Sequence, residues 1–407
     1  MTRESDAAAL DAADGLAGVR DRFVRDAEVT AYLDGNSLGR PLAASVARVS
    51  EFMTNSWGSQ LIRGWTGPSS GRPGEGGWLD LGQRIGDDLG RVALGAAPGQ
   101  TTIGDSTTVL LYKLVRAAVD ARPGRTELVI DRDNFPTDRY VLEGIAAERG
   151  LTLRWIESGE FTADALAALL SARTALVVLS HITYRSGYLF DVEAVTRQVH
   201  DVGALVLWDL CHSAGVVPTE LDAWGVDLAV GCTYKYLNGG PGSPAFAYVR
   251  AEHQGRMRQP IQGWLGSATP FEMGQGYEPA EGIRGFLSGT PPVIGMLAMQ
   301  DMIALIDQAG IDAVRAKSVA LTEYAIGLVD ELLPQAVLAS PREAARRGSH
   351  ITIDHDGFEA IMPALWERGV IPDFRRPNGI RLGLSPLSTS FDEVRIGVEA
   401  IAELLRD

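Results

Sequence analysis

Apolar positions along this chain follow two rhythms. Short unbroken apolar runs appear at ELVID (Glu127–Asp131), TLRWI (Thr152–Ile156), TALVVLS (Thr174–Ser180), ALVLWD (Ala204–Asp209), VDLAVGCT (Val226–Thr233) and AFAYVR (Ala245–Arg250). Each has the length and composition of a buried strand. Stretches with helical spacing fall between several of them, such as Ala163–Ser171 and Asp191–Val202. Strands alternating with helices predict an α/β fold with a mainly parallel sheet covered on both faces. Ligands of such sheets bind beyond the carboxyl ends of the strands. Upstream, residues 4–27 read as a helix, Ala31–Pro41 as a short strand and turn, and 42–62 as a helix. The Gly- and Pro-dense stretch Gly64–Trp78 is a long loop, and long loops in compact domains are often functional. From about residue 300 the texture changes to long helices, two short strands (SHITIDH and GIRLGLS) and a last helix over Phe391–Leu405. That pattern predicts a smaller α+β unit.

A length of 407 residues allows more than one domain. The pattern divides it into an N-terminal segment (1–60) joining the small domain, a large domain (61–300) and a small C-terminal domain (301–407). The formal net charge is −15, with no block of Lys and Arg, which argues against nucleic acid as a partner. No apolar run is long enough to span a membrane. The acidic, Ala-rich start lacks the features of a signal peptide. Two cysteines in so long a chain fit a reducing, cytoplasmic setting.

The apolar run LVLWD ends in Asp209, and a carboxylate at the end of a buried strand needs a cationic partner. Downstream, VDLAVGCT runs into Tyr234, Lys235 and Tyr236, and then into NGGPG. Lys235 either pairs with Asp209 or shares one ligand with it. The second arrangement suits pyridoxal 5'-phosphate (PLP), which requires a lysine amine for its Schiff base and a carboxylate facing its ring nitrogen. Ser106, Thr107 and Thr108 open a helical stretch, where free N–H groups and hydroxyls suit a phosphate. Each feature alone has a plainer reading as a helix cap or a solvated lysine. Their order along the chain, all at strand or helix ends, favours the cofactor. Metal is not expected: His212 and the other histidines (His181, His200, His253, His350 and His355) form no HExxH spacing, and Cys211 and Cys232 form no CxxC pair.

With LDGNSLGRP, NFPTDRY, WDLCHSAG, DAWGVDLAVGCTYKYLNGGPG, SGTPP and PNGIRLGLSPL, the chain resembles the kynureninase family over nearly its whole length. The resemblance implies a PLP-dependent transferase fold type I of the class V aminotransferase-like kind. It implies hydrolysis of L-kynurenine or 3-hydroxykynurenine to L-alanine and the matching anthranilate. Lys235 would be the Schiff-base lysine, Asp209 the partner of the pyridine nitrogen, and His212 and Phe135 the ring neighbours. Thr107, Thr108, Tyr234, Trp264 and Thr290 would bind the phosphate, and Tyr234 would also relay protons. Arg381 would clamp the carboxylate of the amino-acid substrate, and Trp65 would line the aryl pocket. A homodimer with a shared active site is also implied, with Thr290 reaching in from the partner subunit. Three positions depart from the family pattern: Ser267 where a histidine is usual, Ser388 where a tyrosine is usual, and Arg376 where some members carry asparagine. These departures bear on the aryl pocket. They leave open a related lyase acting on another amino acid and, more weakly, a non-catalytic binding protein of the same fold.

Overall fold

The computed structural model describes residues 2–67, 76–157 and 162–406. The middle of the loop Gly64–Trp78, residues 68–75, lies outside the described residues. Among the described residues the strands are β1 (Ala31–Leu33), β2 (Thr101–Gly104), β3 (Glu127–Asp131), β4 (Thr152–Ile156), β5 (Thr174–Ser180), β6 (Leu205–Asp209), β7 (Leu228–Gly231), β8 (Ala245–Val249), β9 (Val337–Leu338), β10 (His350–Asp354), β11 (Val370–Arg375) and β12 (Gly379–Gly383).

A seven-stranded sheet has the order β2-β8-β7-β6-β5-β3-β4. Strands β3 to β7 run parallel, while β8 is antiparallel to both β7 and β2. Successive side chains of a strand point to opposite faces, and the core follows that rule. On β5, Val177 and Leu179 join one buried cluster, and Leu176 and Val178 join another. On β6, Val206 and Trp208 go to the first cluster, and Leu205 and Leu207 to the second. Both faces are therefore dry, which is why these strands read as continuous apolar runs and not as alternating ones.

A second sheet has the order β1-β11-β12-β10-β9. Strand β1 pairs parallel with β11, so the chain start closes an edge of the C-terminal sheet. The first helix, Arg3–Ala13, packs on the last, Phe391–Leu404. That last helix opens with a capping box between Ser390 and Glu393, an arrangement whose loss costs about 1 kcal/mol. The long helix Ile311–Leu332 links the two units: Val314 sits in the core of the large sheet, and Leu321 onward sits in that of the small one.

The expected helix over 4–27 is cut short. It ends at Ala13, and Ala17–Arg22 forms a separate 3-10 turn. Asp14 leaves the helix to meet the buried Lys317 ammonium, a stronger demand than helical propensity.

Candidate active site

Strands β6 and β7 pair in parallel with Asp209 opposite Val230, so Asp209 and the segment leading to Lys235 emerge side by side. Strand β2 runs in the same direction as β7, because each is antiparallel to β8. The helix Thr107–Asp120, which follows β2, therefore begins at the same edge of the sheet. Ser106 caps it by accepting from the Val109 N–H, and Thr107 and Thr108 occupy its first turn. A helix start at that edge, with free N–H groups and hydroxyl residues in its first turn, is a place where an anion can fit.

Asp209 is 5% exposed, and Oδ1 accepts from the Cys211 N–H at 2.7 Å. Ser180, at the end of β5, lies in register with it and places Oγ 3.4 Å from Oδ2. Lys235 does not pair with Asp209. Its Nζ lies 3.1 Å from His212 Nε2, and 5.8 Å from the centre of the Phe135 ring. The Tyr234 ring is 6.0 Å away on another side. Among the described residues no ion pair forms at Asp209. Of the two sequence readings, the one with a ligand between lysine and aspartate therefore fits.

Burial, followed by the charges of Lys235 and Arg381, holds the His212 imidazole well below its ordinary value, so the ring is neutral. The Nζ–Nε2 contact fits the tautomer that carries its proton on Nδ1. Burial, with the Cys232 thiol next, pushes the Tyr234 phenol up.

Four neighbours were not singled out from the sequence. Asp138, in the first turn of the helix Pro136–Arg149, is buried, and its Oδ2 has no hydrogen-bond partner. Burial raises its carboxyl well above the ordinary range, and Asp209 and Asp131 push it the same way. Its signal was its place three residues after Phe135, one helical turn on. Asn134 places Oδ1 2.9 Å from Ser180 Oγ. Tyr184 stands edge-on to Phe135, ring centres 5.4 Å apart. His350 lies 5.5 Å from His212, ring to ring, and burial holds its imidazole well below the ordinary value.

The remaining predicted residues fall into two groups. Arg381, 1% exposed, donates to the Tyr184 carbonyl and to Ser37 Oγ, both at 2.6 Å, so it touches the same rim as Phe135. Trp65, Trp264 and Thr290 form a separate cluster. The two tryptophan rings meet edge-on at 5.6 Å, and Trp264 Nε1 donates to Thr290 Oγ1 at 3.2 Å. Within this single chain the described contacts do not join that cluster to Lys235. Of the departures, Ser267 follows the Trp264 turn directly, Ser388 accepts from Arg25 through its carbonyl, and Arg376 reaches outward to Glu359.

The site accommodates PLP. Buried Asp209, which forms no ion pair among the described residues, suits a protonated ring nitrogen, a lysine amine leaves the neighbouring strand end, and a helix start can hold a phosphate. Solved structures with the same fold include the apo cysteine desulfurase of Thermococcus onnurineus NA1 (TM-score 0.81, 18% identity, 96% of this chain and 98% of that one). Another is the C-DES variant K223A with glycine covalently linked to the PLP cofactor (TM-score 0.79, 18% identity, 93% and 100%). Fold and site together define a PLP-dependent enzyme of fold type I. Residues 314–401 match the family described as the kynureninase C-terminal domain. Over 413 aligned positions the chain is 40% identical to the kynureninase of Pseudomonas fluorescens and 42% identical to that of Burkholderia pseudomallei (strain 1106a). Each match covers 100% of this chain and 96% of the relative. The chain belongs to the kynureninase family.

Proposed function

We propose that this enzyme hydrolyses L-kynurenine or 3-hydroxykynurenine at the Cβ–Cγ bond. Water supplies the hydroxyl that ends on the aryl acid, and the remaining three-carbon unit takes up a proton and leaves as L-alanine. When bound, PLP supplies the electron sink that stabilises charge at the substrate α-carbon. Lys235 Nζ would hold the cofactor and would serve as the base for the α-proton. His212 Nε2 holds that amine in place. Asp209, fixed by the Cys211 N–H, would keep a carboxylate against the ring nitrogen, and Phe135 and His212 would flank the ring. Thr107, Thr108 and Tyr234 bind the phosphate, and Tyr234 moves a proton at its hydroxyl. Arg381 binds the α-carboxylate, a task suited to its fork of donors.

Trp65, Trp264 and Thr290 complete the aryl pocket and the phosphate site from the partner subunit of a homodimer. Two observations support this: they cluster apart from Lys235, and the exposed Phe271 ring packs on Trp264 at 5.9 Å. Residues 61–300 serve as the PLP-binding domain, and 1–60 join 301–407. The enzyme works in the cytoplasm.

The observation that carries the reading is the family membership over the full chain, with Lys235 and Asp209 converging at the strand ends. The test is to incubate PLP-loaded protein with each of the two substrates and measure alanine and the matching anthranilate by mass spectrometry. Release of both products, lost in Lys235→Ala, is the expected result. No turnover of either substrate would overturn it.

A further inference from the structure

Strand β11 places Asp373 directly opposite Arg381 on β12, so both side chains stand on one face of the small sheet. Asp373 Oδ2 forms an ion pair with Arg381 Nη2 at 2.6 Å and accepts a hydrogen bond from Arg375 Nε at 2.6 Å. One oxygen thus holds two guanidinium groups. The other anchors of Arg381 are neutral. Nη1 donates to the Tyr184 carbonyl, and Nη2 donates to Ser37 Oγ. With the Asn36 amide turned so that its oxygen faces the guanidinium, Nε donates to it at 3.0 Å. Asp34 stands further off, 3.7 Å from Nη2.

Arginine has five N–H donors in a rigid fork. Here Nε, Nη2 and Nη1 each donate one hydrogen bond and Asp373 pairs with Nη2, so the plane of the fork is fixed and a donor on Nη1 remains. Burying a guanidinium needs a matched anion, and Asp373 is the carboxylate at hydrogen-bonding distance. Arg375 fixes Asp373 in turn. Arg375 also lies 6.0 Å over the Tyr184 ring, which abuts Phe135.

We propose that Asp373 is a positioning residue for substrate recognition: it aims Arg381, through a shared contact with Arg375, at the α-carboxylate of the substrate. The inference rests on the reading of Arg381 as the carboxylate clamp. Asp373 itself stays on the protein side and touches neither substrate nor cofactor. Its effect therefore depends on whether the ligand carries a carboxylate.

The test compares Asp373→Asn and Asp373→Glu with Arg381→Lys in the PLP-loaded enzyme. The readouts are KM and kcat for kynurenine, and the inhibition constant of the matching aryl ketone amine that lacks the α-carboxylate. Asp373→Asn is expected to raise KM about tenfold with kcat within about twofold. It should leave the inhibition constant of the carboxylate-free amine unchanged, as well as the PLP affinity of the cofactor-free protein measured by fluorescence titration. Asp373→Glu should recover part of the lost KM. An unchanged KM in both Asp373 variants, or an equal loss for both ligands, would overturn the inference. If Arg381→Lys is selective for the carboxylate and Asp373→Asn is not, the inference fails and the clamp stands. If Arg381→Lys weakens both ligands equally, the clamp itself fails, and the inference with it.

Discussion

Lys235 and His212 leave the ends of two neighbouring parallel strands and meet at 3.1 Å, Nζ to Nε2. Their meeting gives the amine a fixed direction before any ligand arrives. The neutrality of His212 makes this possible, because a protonated ring would have no acceptor to offer. His212→Leu removes that acceptor and leaves a buried donor unsatisfied, at a cost of about 1–3 kcal/mol. PLP affinity, measured by fluorescence titration of the cofactor-free protein, should fall by about tenfold or more. His212→Gln, which keeps an acceptor oxygen, should lose less. Equal losses in the two variants would show that ring packing and not the hydrogen bond matters.

Asp138 gives a pH-dependent expectation. Burial and the nearby Asp209 and Asp131 raise its folded carboxyl well above the value near 4 of an unfolded chain. Between those two values the folded state holds a proton that the unfolded state has released. Its contribution to stability therefore falls as pH rises through that window. Asp138→Asn is free of this loss. In the cofactor-free protein its Tm relative to the parent should climb from pH 5 to pH 8, as read by thermal unfolding. Parallel curves would mean that Asp138 is not strained in the empty site.

The strands carrying the site were legible because they are buried on both faces. β3, β4 and β5 match their sequence runs end to end, and Asp209 closes β6 as expected. β2 was missed because TTIG is short and half polar, and it gains its place only by pairing with β8. β11 was missed because Pro372 argues against a strand, yet it sits there opposite Leu33. At the site, Lys235 and Asp209 were singled out from motif order, and His212 and Phe135 only through the family resemblance. Asp138 and Asp373 were not, since an acidic residue on a helix or strand reads as solvated until the fold buries it. The distance of Trp65, Trp264 and Thr290 from Lys235 is likewise a tertiary fact that spacing along the chain does not encode.

His181 sets a limit at acid pH. Its ring is wedged against Trp208 and Trp224, with Nδ1 unpartnered. Burial, aided by Arg315, lowers its folded value to about 3. The unfolded chain takes up this proton below about 6.5, and the folded one does not. Stability is thus present above 6.5 and lost as pH falls toward 3, by about 1.4 kcal/mol per pH unit at most. His181→Phe removes the titration. Its stability relative to the parent, from urea unfolding, should improve steadily from pH 7 to pH 4.5. A constant difference over that range would contradict the buried, neutral ring.

Lys113 ties the start of the helix Thr107–Asp120 to the segment around Ser288. Fully buried, it bonds Asp105 just before the helix start, Ser288 Oγ at 2.7 Å and the Phe286 carbonyl at 3.1 Å. Burial lowers its ammonium from the ordinary value, and Asp105 opposes that shift. Removing one partner of such a pair leaves an uncompensated buried charge, at about 3 kcal/mol or more. Asp105→Ala should therefore destabilise the protein by about that much in urea unfolding. It should also weaken PLP binding, because Asp105 precedes the helix cap at Ser106 and Ser288 lies two residues before Thr290. The double variant Asp105→Ala with Lys113→Met removes both charges and should recover part of the stability. It should not recover the PLP affinity, since the tie between the helix start and the Ser288 segment is still missing. Recovery of both together would mean that the pair acts only through its charge balance and does not shape the phosphate site.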